Sequence, residues 1–173
     1  MSSSPADEAC LEAYQRELDY LLRTLQRLGV AATDLEDLAH EVFLVLRGSW
    51  QEYDAARPLR PYLFGIAFRV ASSHRRRHWR EVAFGEVDGP DLAPAPDKAF
   101  ESEQARALVL SALQHVPLAR RVVLIMHELD DVPMRDVAAM LRIPLFTAYS
   151  RLRKARRELE AALTPGKRKR GAR

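Results

Sequence analysis

Apolar residues in this chain recur at intervals of three and four, window after window, and no window shows the one-by-one alternation of a half-buried strand. Leu11, Tyr14, Leu18, Leu21, Leu22, Leu25 and Leu28 lay one stripe along residues 7–28, and Gly29 is placed to stop that helix. Thr33 opens a second pattern. Thr33 and Glu36 have capping-box spacing, and Asp34, Glu36 and Asp37 crowd the first turn, where the helix dipole favours acids. Its inward face reads Leu35, Leu38, Ala39, Val42, Phe43 and Leu46, with Gly48 near the end. Residues 50–61 are irregular, because Pro58 and Pro61 each forbid a helix running through them. Pro61 suits the first turn of a third helix reaching about residue 80. That helix is apolar at Leu63, Ile66, Ala67, Val70 and Ala71, and its last turns are basic.

The composition then shifts. Gly85, Gly89, Pro90, Pro94 and Pro96 sit among acids over residues 84–97 with no periodicity, the signature of an exposed linker. A second helical set follows. Residues 98–115 turn Leu108, Ala112 and Leu113 inward, and Pro117 ends them. Residues 118–128 bury Val122, Ile125 and Met126. Pro133 opens a short helix to Arg142 with Met134, Val137, Ala138 and Leu141 inside. Residues 143–145 form a turn, and residues 147–163 a last helix, apolar at Ala148, Leu152, Ala155 and Leu159. The fold class expected is all-α: two small helical domains, 1–83 and 98–173, joined by a flexible acidic Pro/Gly linker, 84–97, the second domain containing a helix-turn-helix.

Composition narrows the function. With 47% hydrophobic and 29% charged residues the chain can build cores and is not a disordered polymer. Cys10 is the only cysteine, which excludes a disulfide-stapled fold and a cysteine-rich zinc module. No run approaches the roughly 20 apolar residues of a membrane span, and the start lacks the segments of a signal peptide. The chain is therefore expected to be soluble and intracellular. The net charge of +3 is uneven: residues 1–84 carry −1, residues 85–104 carry −5 and residues 105–173 carry +9. The basic C-terminal part points to a polyanion, most often nucleic acid, against the plainer reading of a solvated helix face.

Two constellations carry chemistry. The short helix, tight turn at Ile143-Pro144-Leu145 and longer basic helix have the form of a helix-turn-helix, whose second helix enters the major groove N-terminus first. The outward positions there are Phe146, Thr147, Tyr149, Ser150, Arg151, Arg153, Lys154 and Arg157, which offer hydrogen bonds to bases and charge to phosphates. The other is the acidic stretch 34–43 followed by the aromatic and basic segment 53–80. Asp37 and Glu41, four apart, share a helix face. Of Arg75, Arg76 and Arg77, not all can face one way. For Phe64, core packing is favoured over base stacking. His74 and His78 have metal spacing, but no third ligand is visible and three intervening arginines repel cations, so neither metal nor cofactor is expected. With no nucleophile triad, Walker loop or zincin motif, the chain is not expected to be an enzyme or to take a small-molecule substrate.

In this order and spacing the chain resembles bacterial RNA polymerase sigma factors of the extracytoplasmic-function (ECF) group, the smallest sigma-70 relatives. Residues 34–43 (DLEDLAHEVF) are similar to that family's polymerase-binding helix. Tyr53, Asp54 and residues 62–67 (YLFGIA) resemble its promoter-melting segment. Residues 112–117 (ALQHVP) and 120–124 (RRVVL) resemble the start of its second DNA-binding domain, and residues 136–144 (DVAAMLRIP) with 147–152 (TAYSRL) its helix-turn-helix. The resemblance implies a cytoplasmic promoter-specificity subunit. Glu36, Asp37, Leu38 and Glu41 would meet the coiled-coil clamp of the largest subunit of core polymerase. Tyr53, Arg57, Arg60, Tyr62, Arg69, Arg75 and Arg76 would meet −10 DNA, where a base flips out of the stack. Thr147, Tyr149, Ser150, Arg151, Arg153, Lys154 and Arg157 would meet −35 DNA, and an anti-sigma factor is a candidate partner. Three positions depart from the family pattern: Arg142 stands where the turn usually has Gly, Phe146 where Gly usually precedes the recognition Thr, and Arg69 where Asn is usual. Arg tolerates the left-handed backbone less well than Gly, so a differently closed turn is expected at Arg142. The alternative function is a stand-alone helix-turn-helix regulator, which gives no account of residues 34–43 or of the basic loop and helix after them. A protein-binding adaptor, a third class, leaves the +9 segment idle.

Overall fold

The computed structural model describes residues 5–82 and 100–164, with side chains for 5–77 and 103–164. Every regular element in these residues is helical, as the periodicity requires. The chain divides into two compact units, Met1–Pro90 and Asp91–Arg173. The acidic segment 84–97 and the basic tail 167–170 lie outside the described residues.

In the first unit α1 (Pro5–Leu28), α2 (Leu35–Gly48) and α3 (Leu59–Val82) all pack on one another. Leu21, Leu25, Val42, Leu46, Leu63, Phe64 and Ile66 fill the space between them. Each such side chain contributes about 1.5–3 kcal/mol by leaving water. Phe64 is therefore core, not a stacking platform. The stripe of α1 is rotated from the one its leucines draw. Cys10 is fully buried and Leu11 is 43% exposed, because the phase set by Leu25 and Leu21 reaches Cys10 when continued by three and four. Burial pushes the Cys10 thiol up from its ordinary pKa. Gly29 closes α1 as expected: at φ 97° it lets its own N–H reach the Gln26 carbonyl (3.0 Å) and the Val30 N–H reach the Leu25 carbonyl (3.1 Å).

The capping box expected at Thr33 does not form. Residues Ala32–Asp34 make a 3-10 turn, α2 begins at Leu35, and no side chain caps it. The Thr33 hydroxyl donates instead to the Asp34 carboxylate at 3.1 Å. Pro61 sits in the first turn of α3, which begins two residues earlier than expected, directly after Pro58. Between helices, the Tyr14 hydroxyl donates to the Ala39 carbonyl at 3.0 Å and its ring lies 4.9 Å from that of Phe43. Arg47 pairs with Asp7 at 2.7 Å.

The second unit contains α4 (Phe100–Gln114), α5 (Leu118–Leu124), α6 (Met134–Leu141) and α7 (Leu145–Leu163). Helices α4, α5 and α6 each pack on α7. Leu113, Val116, Val122, Ile125, Met126, Val137, Ala148, Leu152 and Ala155 form the core. Leu108, expected inside, is 57% exposed, since only the last turns of α4 reach that core. α5 does not run on as a plain helix to residue 128. It widens into a π-helical turn, Ile125–Leu129, closed by the Asp130 N–H on the Ile125 carbonyl.

Arg121 is 3% exposed, an unusual place for a cation. Its guanidinium donates to the carbonyls of Val116 (3.0 Å) and Gln114 (3.0 Å) and to the Gln114 side chain (2.7 Å). These are carbonyls that the end of α4 leaves without helical donors. The fork thus caps α4 and turns the chain into α5, a task for which the point charge of Lys has the wrong shape.

Candidate functional site

The acids of α2 divide by what they touch. Glu36 and Asp37 are exposed in its first turn. Glu41, one turn on, is half-buried and accepts from Arg77 of α3 at 3.3 Å. Asp34 meets His74 of α3 at 3.1 Å. Leu38, expected among the polymerase contacts, is 4% exposed, with its side chain packed in the core behind these acids. The exposed face that remains carries Glu36 and Asp37, with Glu41 at its edge. It continues, at helical spacing from Asp37 and Glu41, to Leu44 and Val45, which are 52% and 41% exposed.

Between α2 and α3 the chain makes an aromatic corner. Trp50 stacks on Tyr53 (ring centres 5.3 Å apart), and Tyr53 lies 5.1 Å from Tyr62. The Tyr62 hydroxyl donates to the Ser49 hydroxyl at 2.8 Å, and the Tyr53 hydroxyl donates to the Arg57 carbonyl. Burial, with the Asp54 carboxylate adding to it, holds the Tyr53 phenol above its ordinary pKa, so it remains a neutral donor. Asp54 also accepts from the Ala56 N–H (3.0 Å) and pairs with Arg57 at 3.7 Å, which shapes the loop locally. Trp50 was not among the expected site residues. Its signal was available in the three-residue spacing to Tyr53.

The basic residues of this region differ in freedom. Arg57, Arg69, Arg75 and Arg76 are exposed. Arg60 pairs with Glu17 of α1 at 2.8 Å and lies 5.1 Å over the Tyr20 ring. Among the described side chains, Arg77 is the arginine of the basic run that turns back to α2.

In the second unit α6 and α7 form the helix-turn-helix. Arg142 closes α6 at φ 52°, ψ 46°, with its N–H on the Ala139 carbonyl (3.1 Å) and the Ile143 N–H on the Ala138 carbonyl (3.0 Å). The differently closed turn expected there is therefore not found: Arg adopts the left-handed closure that Gly would give, the same bond pair that Gly29 makes after α1. α7 starts at Leu145, two residues before the expected start, with Pro144 at its N-cap. Phe146 thus lies in the first turn, 83% exposed.

Ala148, Leu152 and Ala155 are the buried face of α7. Diametrically opposite, at spacings of four, three and four, run Phe146, Ser150, Arg153 and Arg157. Tyr149 (54% exposed) and Lys154 flank that stripe. Thr147 and Arg151 are half-buried, and the Arg151 guanidinium reaches the Ala119 carbonyl of α5 at 3.4 Å. Arg156 pairs with Glu128 of the π-helical turn, and Glu158 with Arg120 of α5 at 2.9 Å, on the two flanks of the buried face.

Known proteins place these two units. Residues 11–81 match the family profile described as Sigma-70 region 2, and residues 106–159 the profile described as Sigma-70, region 4. The RNA polymerase sigma factor NccH of Alcaligenes xylosoxydans xylosoxydans is 25% identical over 155 residues, 86% of this chain and 83% of that protein. The ECF RNA polymerase sigma factor RpoE of Cereibacter sphaeroides is 27% identical over 154 residues, 86% of this chain and 83% of that protein. Among solved structures, the sigma factor RpoE of Bartonella quintana, in complex with the anti-sigma factor NepR, superposes with a TM-score of 0.69 at 21% identity, covering 88% of this chain and 98% of that one. The chain belongs to the sigma-70 family of RNA polymerase sigma factors, in its extracytoplasmic-function group. It directs promoter-specific transcription initiation, and the stand-alone regulator is not favoured.

Proposed function

We propose that the chain divides this task between a domain 1–83, which binds core polymerase and captures −10 DNA, and a domain 98–173, which binds −35 DNA, with 84–97 between them. The observation that carries this reading is the sorting of side chains on α2 and α7: acids without a core role collect on one face of α2, and hydrogen-bonding and cationic groups on the outward side of α7. Glu36, Asp37 and Glu41 are the polymerase contacts, offered to the basic clamp of the largest subunit, with Leu38 holding the helix from behind. Tyr53 and Tyr62, with Arg57, Arg60, Arg69, Arg75 and Arg76, serve −10 DNA. An aromatic corner beside exposed arginines suits an unpaired base and its phosphates, each stacked base being worth about 1–3 kcal/mol. Thr147, Tyr149, Ser150 and Arg151, in the first two turns of α7, face −35 base edges, and Arg153, Lys154 and Arg157 meet phosphates. The chain acts as a specificity subunit without catalysis of its own, in the compartment of the polymerase. Among the described residues no helix is long and apolar enough to cross a membrane. An anti-sigma factor is a further partner, supported by the complex in which the Bartonella quintana protein was solved.

The test is a double charge reversal, Asp37→Lys with Glu41→Lys, in the full chain. Both side chains reach solvent, and among the described residues Glu41 has one exposed ion pair, so stability is expected to change by under about 1 kcal/mol. Affinity for core polymerase, read by titration, should fall at least tenfold. Full affinity in a variant with unchanged melting would overturn the assignment of α2.

A further inference from the structure

Phe146 has no task in the fold. Its ring is 83% exposed in the first turn of α7, beside Leu145 (39% exposed), while Ala148, Leu152 and Ala155 meet the core without it. An aromatic ring left in water is a cost that a bound partner removes. The charge around it says what kind of partner. Arg142 lies just before it, Arg153 and Arg157 follow on its own stripe, and Lys154 flanks them, all exposed. The first acids of α7 are Glu158 and Glu160, three turns further on. The occupant of this surface is therefore a polyanion. On the floor of the major groove of duplex DNA the base faces are stacked out of reach, and the apolar group presented is the C5-methyl of thymine. Phosphates would meet the negative face of the ring and are served by the arginines.

We propose that Phe146 is a specificity residue that packs against a thymine methyl in the −35 element, a contact that Gly at this position cannot make. The proposal rests on the assignment of α7 to −35 DNA made above. Phe146 and Ser150 are one helical turn apart on the same stripe, about 6 Å along the axis. The thymine therefore lies close to the pair nearest Ser150, within the same groove segment.

Replacing thymine by deoxyuridine deletes that methyl and nothing else. The probes are duplexes selected by the holoenzyme, full chain plus core polymerase, from a library randomised over the −35 region. Each thymine is then replaced singly by deoxyuridine, and binding is measured for wild type, Phe146→Ala and Phe146→Leu. One replacement should weaken wild-type binding about three- to fivefold, the worth of one buried methyl. Phe146→Ala should bind both duplexes alike, and Phe146→Leu should keep part of the difference. Absence of any thymine whose replacement matters, or a methyl effect that survives in Phe146→Ala, overturns the proposal. So does a Phe146→Ala variant indifferent to DNA but impaired with a protein partner. If exchange of whole −35 base pairs has no effect, it is the assignment of α7 itself that fails. If those exchanges matter and the methyl does not, Phe146 alone is wrongly placed.

Discussion

Arg142 shows how one residue holds a fold against its own preference. The turn between α6 and α7 needs a left-handed residue so that two N–H groups can fold back onto the last carbonyls of α6. For a residue with a Cβ this costs about 1–2 kcal/mol, of which Gly would return roughly 0.5–1 through its larger unfolded-state entropy. Arg142→Gly in the full chain is therefore expected to stabilise the second unit by about 0.5–1 kcal/mol, seen as a higher urea midpoint with an unchanged slope. A lower midpoint would mean that the Arg142 side chain, exposed as it is, contributes more than its backbone costs. The substitution also removes a cation next to the start of α7, so on the proposed assignment of α7 to −35 DNA, DNA affinity should fall as stability rises. At the same scale Arg121, one of two adjacent arginines in the sequence, is a buried cap.

Helices decide what the residues can reach. On α7 the two flanks of the buried face hold Arg156 and Glu158 in ion pairs, while Arg153 and Arg157 stand free of the core on the far side. Arg151 sits between, its 3.4 Å bond to the Ala119 carbonyl long enough to be given up on contact with a base. Arg151→Ala is expected to reduce discrimination between matched and altered −35 sequences by about 1–3 kcal/mol. Arg157→Ala should instead weaken all sequences alike and lower the salt slope by about one counterion. Competition binding with holoenzyme across a salt series separates the two. A change of sequence preference in Arg157→Ala, with none in Arg151→Ala, would reverse their roles. On α2 the same sorting leaves Asp37 exposed and ties Glu41 to Arg77, so Asp37→Lys alone should carry most of the loss of core binding expected of the double variant.

At the scale of the molecule, each unit has its own core, which predicts that fragments 1–83 and 98–173 fold separately. Each should unfold cooperatively by helical circular dichroism, and the two spectra should sum to that of the full chain. A fragment without a cooperative transition would show that the units depend on each other. Much of this architecture is legible in the sequence, because helix periodicity, proline punctuation and Gly29 act over a few residues. The helix order, the core at Val42, Leu63 and Ile66, and the helix-turn-helix follow from such local signals. Local rules misplace Leu11 and Leu108, and the capping box at Thr33, because the neighbours that fix a helix's inward phase and start come from elsewhere in the chain. The pairs Asp34–His74 and Glu41–Arg77 span 40 and 36 residues, and no spacing rule reaches that far. What the sequence by itself determined is therefore the set of helices and their chemical character. Which acids remain for a partner, that Arg121 is inside and that Phe146 points outward were decided by tertiary packing, since exposure is a property of what lies opposite a side chain and not of the side chain alone.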